Sequence, residues 1–367
     1  MPFDSLAGLA LRRWCPPLLG LPPHASADSY ARRRDELGEP EVRSRFLGAS
    51  GLAALCVDTG YTPAGLLTPG ETAGYAGAAA FEIVRLEQVA ESVARSGVRA
   101  ASFPDAYREA LSERVTAPSF GSPVVGFKSV AAYRVGLELD GRRPGDGEVV
   151  AAVSRWLAGA SASDGSGGAG GSDRAGGFGG ASGAGAAGGP DGTLPRLAEE
   201  VIHRFVIWCG ADLGLPIQFH VGYGDRDIDL QRCNPLLLTG LLRALEPAGV
   251  PVMLLHNYPY HREAGYLAQV FPHVYADLGL ATHNVGARAT ELLGEALELV
   301  PLRKFLFSSD AFGLPELYYL GTLLFRRALS AFLSSRLDAD DMSHADAERV
   351  TRLIGAENAR KAYRLGG

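Results

Sequence analysis

Seven short apolar runs alternate along this chain with stretches of helical periodicity, and no other feature restricts the fold so strongly. The runs are Leu52–Thr59, Glu82–Glu87, Val124–Ser129, Pro216–His220, Pro251–His256, Val274–Gly279 and Lys304–Asp310. Apolar runs of this length, separated by helices, read as parallel strands buried beneath helices. Between them, Pro235–Glu246 has Asn234 as an N-cap and Pro235 at its first helical position. Leu197–Leu213 sets Leu197, Val201, Phe205 and Trp208 at helical spacing. Such alternation predicts an α/β fold, either a (β/α)8 TIM barrel or an open doubly wound sheet. Polar residues end several different strands and no GxGxxG follows the first one, which selects the barrel.

Composition narrows the partners. With 47% hydrophobic residues, 21% charged residues and a formal charge of -6 over 367 residues, the chain reads as soluble and globular. It has no basic patch for nucleic acid and no membrane-length apolar run, so neither nucleic acid nor membrane is expected as a partner. The first residues lack the order of a signal peptide, and a cytoplasmic location is the expectation. Cys15, Cys56, Cys209 and Cys233 are scattered without a CxxC pair and read as reduced, packed thiols. A stretch over 159–190 is nearly all Gly, Ala and Ser, too poor in apolar surface to offset the entropy of ordering it. It reads as a flexible insertion within one barrel spanning 52–367, preceded by a helical segment over 1–51.

Three runs end in a residue able to bind a metal: His220, His256 and Asp310. Parallel strands present their C-terminal ends to one face, so the three belong to one site. Imidazole and carboxylate are ligands that suit zinc, iron or manganese. A lone strand-end histidine is more often a hydrogen-bonded structural residue than a ligand, and the case rests on three coincident ends. In this reading Asp310 moves the proton, as general base and then acid, and His256 is either a ligand or a group that polarises the substrate carbonyl. Lys128 and Arg134 are candidate cationic contacts for a substrate carboxylate, against a structural salt bridge. Asp58 is a polar group on the functional face or a helix cap. His283, beside Asn284, is a loop residue that touches substrate or stays in solvent. Asp277 lies inside its run and reads as an inward side chain paired with a buried cation. His24, His203, His261, His273 and His344 read as structural or surface residues.

The set His220, His256 and Asp310, the ending Glu357–Leu365 and the segment Gly126–Gly136 resemble the metal-dependent amidohydrolase superfamily over roughly residues 52 to 365. The branch resembled is that of decarboxylase-like barrels, with similarity to an amidohydrolase half fused to glutamine-synthetase-like proteins. The resemblance implies that His220, His256 and Asp310 lie at a metal centre holding one divalent ion, zinc by expectation. It also places Lys128 where relatives carry a bridging carboxylated lysine, which a one-metal branch does not use. One departure stands out: the HxH pair that closes the first strand in this superfamily is missing. Before Leu52 the one apolar run, Leu18–Leu21, is boxed by Pro16, Pro17, Pro22 and Pro23, and proline cannot donate to a sheet ladder. The expectation is a barrel lacking its first strand, and a natural protein that begins upstream of Met1.

The implied function is metal-dependent hydrolysis of a C–N (amide-type) or C–O (lactone-type) bond in a small carboxylate-bearing substrate. The alternatives are a metal-dependent non-oxidative decarboxylase, or a non-catalytic barrel partnering a glutamine-synthetase-like enzyme. A small molecule is the expected partner, with a homo-oligomer left open.

Overall fold

The computed structural model describes residues 3–63, 65–163 and 196–366. Most of the Gly-rich stretch expected to be a flexible insertion, from residue 164 on, lies outside the described residues.

Six strands form one parallel sheet whose spatial order is the sequence order: β1 (Ala54–Asp58), β2 (Ala79–Arg85), β3 (Val124–Ser129), β4 (Ile217–Val221), β5 (Val252–His256) and β6 (Val274–Ala276). The sheet curls into a half-barrel with helices around it, so the α/β barrel is present and partly open. β4 is buried on both faces. Ile217, Phe219 and Val221 of β4 pack outward under helices, while Gln218 and His220 face the concave side, all of them buried.

The seventh run departs from expectation. Phe305 makes a single parallel bridge to Ala276, and Leu306 N–H donates to Ala276 O at 2.9 Å, but no ladder follows. Its first residue is recruited elsewhere: Lys304 closes a 3-10 turn (Leu302–Lys304), and its buried ammonium donates to Ala268 O at 2.7 Å and Phe271 O at 2.6 Å. Those carbonyls end the helix His261–Val270, where a cation is favoured. Lys304→Met should therefore orphan two buried carbonyls and lower stability by about 2–4 kcal/mol, readable as a fall in urea midpoint.

No strand precedes β1 among the described residues. The proline-boxed run forms a 3-10 turn (Pro16–Leu19), and the preceding and following segments form helices Leu6–Trp14, Ala27–Leu37 and Glu39–Ser50. Gly38, with φ 76°, separates the last two of these helices. The Asn234 cap is as expected, its Oδ1 accepting from Leu236 N–H at 3.0 Å, and the helix opens as a 3-10 turn before Thr239–Leu245.

The concave side of the sheet is filled from the C-terminus. Tyr363, just past the final helix Asn358–Ala362, packs with Ile83, Met253, Leu255 and Leu306. Its hydroxyl accepts from Gln218 Nε2 at 2.8 Å, which satisfies both groups in an otherwise apolar interior.

Candidate active site

The C-terminal ends of the strands carry the site. Asp58 ends β1, Arg85 ends β2, Lys128 lies one residue before the end of β3, and His220 lies one residue before the end of β4. His256 ends β5, and Asp277 follows β6 directly. Alternation would send His256 outward with Val252 and Leu254. Its left-handed backbone, φ 71°, ends the alternation, and His256 lines the central cavity. Asp310 is likewise left-handed, φ 50°. Strain of this kind is retained where the surrounding structure holds it in place, here at two of the three expected metal-site residues.

On one side of the cavity the charges form a cluster. Asp58 Oδ2 accepts from Arg85 Nη2 at 2.6 Å and pairs with Lys128 Nζ at 3.2 Å, while Asp58 Oδ1 accepts from Gly60 N–H at 2.9 Å. Burial alone would raise the Asp58 carboxyl; the two cations outweigh it and hold the group well below the usual carboxylate range.

On the other side lie the imidazoles. The rings of His220 and His256 have centroids 4.7 Å apart, and the Tyr133 ring lies against His220 at 4.5 Å, tilted by 56°. Burial, then the neighbouring His256 and Lys128, pushes His220 well below its ordinary range; burial and Lys128 do the same to His256. Both are neutral at physiological pH, the form in which imidazole ligates a metal. Asp310 Oδ2 sits 3.8 Å from His256 Nε2, beyond hydrogen-bond range, and burial raises its carboxyl. Both His220 ring nitrogens, His256 Nε2 and Asp310 Oδ2 are buried without a hydrogen bond of ordinary geometry. Three nitrogens and an oxygen left open in this way, with one nitrogen of each imidazole able to ligate, match a divalent cation in donor type. As placed, however, no three His, Cys, Asp or Glu side chains among the described residues converge closely enough to hold one.

The remaining expected residues divide. His283 is not a loop residue: it is buried in the short helix Gly279–Asn284, pushed down to about 4 by burial, with Asp310 partly opposing. Arg134 is not brought to the cavity; its guanidinium pairs with Glu91 at 3.2 Å, the structural salt bridge of the two readings weighed. Lys128 pairs with Asp58 instead, and among the described residues Asp277 has no cation at contact distance. Its Oδ1 accepts from His256 N–H at 2.7 Å, and burial lifts it to about 7. Of the five histidines read as structural, His203 pairs with Glu87 at 3.2 Å and His261 with Glu295 at 2.9 Å. Cys15, Cys209 and Cys233 are buried free thiols, but Cys56 is exposed, on the cavity wall.

Sequence reasoning missed two residues. Arg85 stands inside its apolar run, and only counting the strand parity back from Ile83 would have turned it inward. Asn257, buried and left-handed at φ 58°, donates from Nδ2 to Leu254 O at 2.6 Å and to Asp277 O at 2.9 Å, tying the ends of β5 and β6 together. Nothing in a histidine-ended run announces the structural load carried by the next residue.

A cavity of about 900 Å³ opens along these groups, from Asp58, Lys128, His256 and Asp310 down to Leu329 and Tyr363. No helix among the described residues is long and apolar enough to cross a membrane.

Comparison with known proteins places the chain. Residues 174–365 match the family described as Amidohydrolase. Protein fluG of Emericella nidulans is 30% identical over 275 residues, which cover 72% of this chain and 28% of fluG, so the chain spans little more than a quarter of that relative. A protein from Lactobacillus casei described as a metal-dependent hydrolase superposes with a TM-score of 0.74 at 29% identity, covering 99% of this chain and 85% of that one. Uronate isomerase of Thermotoga maritima shares the fold alone, with a TM-score of 0.60 at 12% identity over 98% of this chain and 79% of its own. With a family match over more than half its length on a partly open barrel of this kind, the chain belongs to the amidohydrolase family.

Proposed function

We propose that this chain is a metal-dependent hydrolase that cleaves an amide-type C–N or lactone-type C–O bond in a small carboxylate-bearing substrate. The observation that carries the reading is the pair of neutral, buried imidazoles beside the Asp310 carboxylate, with both ring nitrogens of His220 and Nε2 of His256 left without a hydrogen bond of ordinary geometry. His220, His256 and Asp310 would hold one divalent ion, zinc by donor type, after a small inward adjustment of these side chains. When bound, such an ion is a Lewis acid that makes water a competent nucleophile near neutral pH.

The chain's own groups do the rest. Asp310, its carboxyl raised by burial, is suited to take a proton from the attacking water and return it to the leaving nitrogen or oxygen. Lys128, buried but on the cavity wall, offers a cation to the substrate carboxylate in exchange for part of its pairing with Asp58. The buried walls exclude bulk water and strengthen both interactions.

Metal analysis of the purified protein tests the reading. Elemental analysis should find about one equivalent of a divalent metal, and His220→Ala or Asp310→Ala should each lower its occupancy. Chelation should abolish amide or lactone hydrolysis and lower the melting temperature, with both restored by zinc or manganese. Absence of metal, with no change in either variant, would leave only a non-catalytic barrel. Release of carbon dioxide in place of hydrolysis products would replace hydrolysis by decarboxylation on the same groups.

A further inference from the structure

The segment that follows Asp310 borders two cavities. Asp310, Phe312 and Pro315 line the large one at the strand ends, while Leu314, Glu316 and Leu317 line a smaller one of about 210 Å³. The two share no lining residue. The helix Ala27–Leu37 contributes Tyr30, Ala31, Arg34 and Asp35 to the smaller cavity, and Phe3 and Leu11 add apolar surface.

One carboxyl group sets the chemistry of this smaller cavity. Glu316 is 3% exposed, and two partners reach the same oxygen: the Tyr30 hydroxyl donates to Oε1 at 2.9 Å, and Arg34 Nε lies 2.8 Å from it. Oε2 is buried and has no hydrogen bond among the described residues. A buried carboxylate oxygen is costly unless a donor meets it, so this one selects for a ligand that brings a donor. The charges point the same way. Among the described residues of the lining, Glu316 and the exposed Asp35 stand against Arg34 alone, which leaves one negative charge in excess. The remaining walls are apolar, with the Phe3 and Tyr30 rings edge to face at 6.4 Å beside Leu11, Leu314 and Leu317. An apolar cavity of about 150 Å³ takes one benzene ring. A volume of about 210 Å³ has room for such a ring and a short polar arm.

We propose that the smaller cavity is a second ligand site, selective for a compact organic cation that carries an ammonium group on a short arm of an aromatic or similarly sized apolar body. The ammonium donates to Glu316 Oε2 and balances the charge of Asp35, while the apolar body rests against Phe3, Tyr30 and Leu317. The ligand lies against the segment that carries Asp310 without entering the large cavity. Binding there is separate from hydrolysis at the strand ends, and it is read on the protein without metal or substrate.

The probe is benzylammonium chloride, titrated calorimetrically at neutral pH, with benzyl alcohol as the uncharged molecule of the same shape. Benzylammonium is expected to saturate with a Kd of about 1 mM or below, and benzyl alcohol to bind at least about tenfold more weakly. Ala31→Trp starts from an exposed position of the helix Ala27–Leu37 and fills the cavity, so it should abolish saturation while the melting temperature stays close to that of the parent. Glu316→Gln keeps the shape and removes the charge, and it should weaken benzylammonium binding at least about tenfold. No saturation up to about 10 mM, equal affinity for the alcohol, or an affinity unchanged in Ala31→Trp would overturn the site. The alcohol and Ala31→Trp decide the matter even if Glu316→Gln, which also disturbs Tyr30 and Arg34, fails to fold.

Discussion

Asp310→Asn is expected to lower hydrolytic turnover of the metal-loaded protein by about 10²–10⁴-fold, the usual contribution of a positioned general acid–base. Asparagine is the right replacement for reasons of backbone as well as charge. Asp310 sits at φ 50°, and asparagine, with aspartate, is the side chain that adopts this region most readily. The amide cannot take up and return a proton, but it keeps the shape and the backbone. A melting temperature within a few degrees of the parent would show that the fold survives. Turnover measured with a chromogenic amide or ester then reads the proton-transfer role alone. A variant keeping more than half of the parent's turnover would remove Asp310 from the chemistry. Asp310→Ala adds strain and loses a ligand at once, and the comparison of the two variants separates proton transfer from metal retention.

The second large effect is structural. Gly222 has φ 74°, and a Cβ there would lie 2.3 Å from Tyr258 O and 3.0 Å from Asn257 C. Both obstacles are backbone, so no side-chain rotation relieves them. Gly222→Ala should cost about 2–4 kcal/mol through overpacking and a left-handed alanine together. In a domain of this size that is a fall in melting temperature of about 3–5 °C. The position magnifies the effect: Gly222 follows His220 by two residues, and its obstacles adjoin His256. Metal affinity should fall along with stability. Gly214→Ala is the control, since Gly214 has φ 71° but nothing within 4 Å of its added Cβ. It carries the conformational strain without the collision. Equal losses in the two variants would refute the packing argument.

What could be read from the sequence, and what could not, follows from the range of the forces concerned. The strand runs were legible because two-sided burial forces continuous apolar composition, which is a local property. The missing first strand was legible through the prolines around Leu18 and Leu19, since a proline's lost N–H is fixed whatever surrounds it. Asp58, Lys128, His220 and His256 lie on one face because parallel strand ends share it, whereas Asp310 reaches that face from a run that makes a single bridge. Arg134 was misplaced because proximity in sequence to Lys128 says nothing once the chain leaves β3 through the turn Ala131–Tyr133. Its partner Glu91 lies on a different helix and could not be seen in a linear pattern. His283 was misread as loop because Gly279 and Asn284 look like breakers, while the buried helix between them is held by tertiary packing. The last strand failed for a similar reason: Lys304 satisfies two helix-end carbonyls, a demand set by a segment some thirty residues earlier in the chain.

The order of the sheet bears on how the molecule reaches this state. Each strand lies beside its sequence neighbour, so the wall grows by pairings of consecutive strands, and because closure entropy rises only slowly with length the cost stays modest even across residues 130–216 between β3 and β4. The Gln218–Tyr363 hydrogen bond is different, for it joins residues 145 apart in sequence. A contact of that span forms late, after the pieces it joins have themselves become ordered. The C-terminal segment thus acts as a keystone: the wall is raised course by course, and the tyrosine that fills its hollow locks a curvature that the six strands have already set.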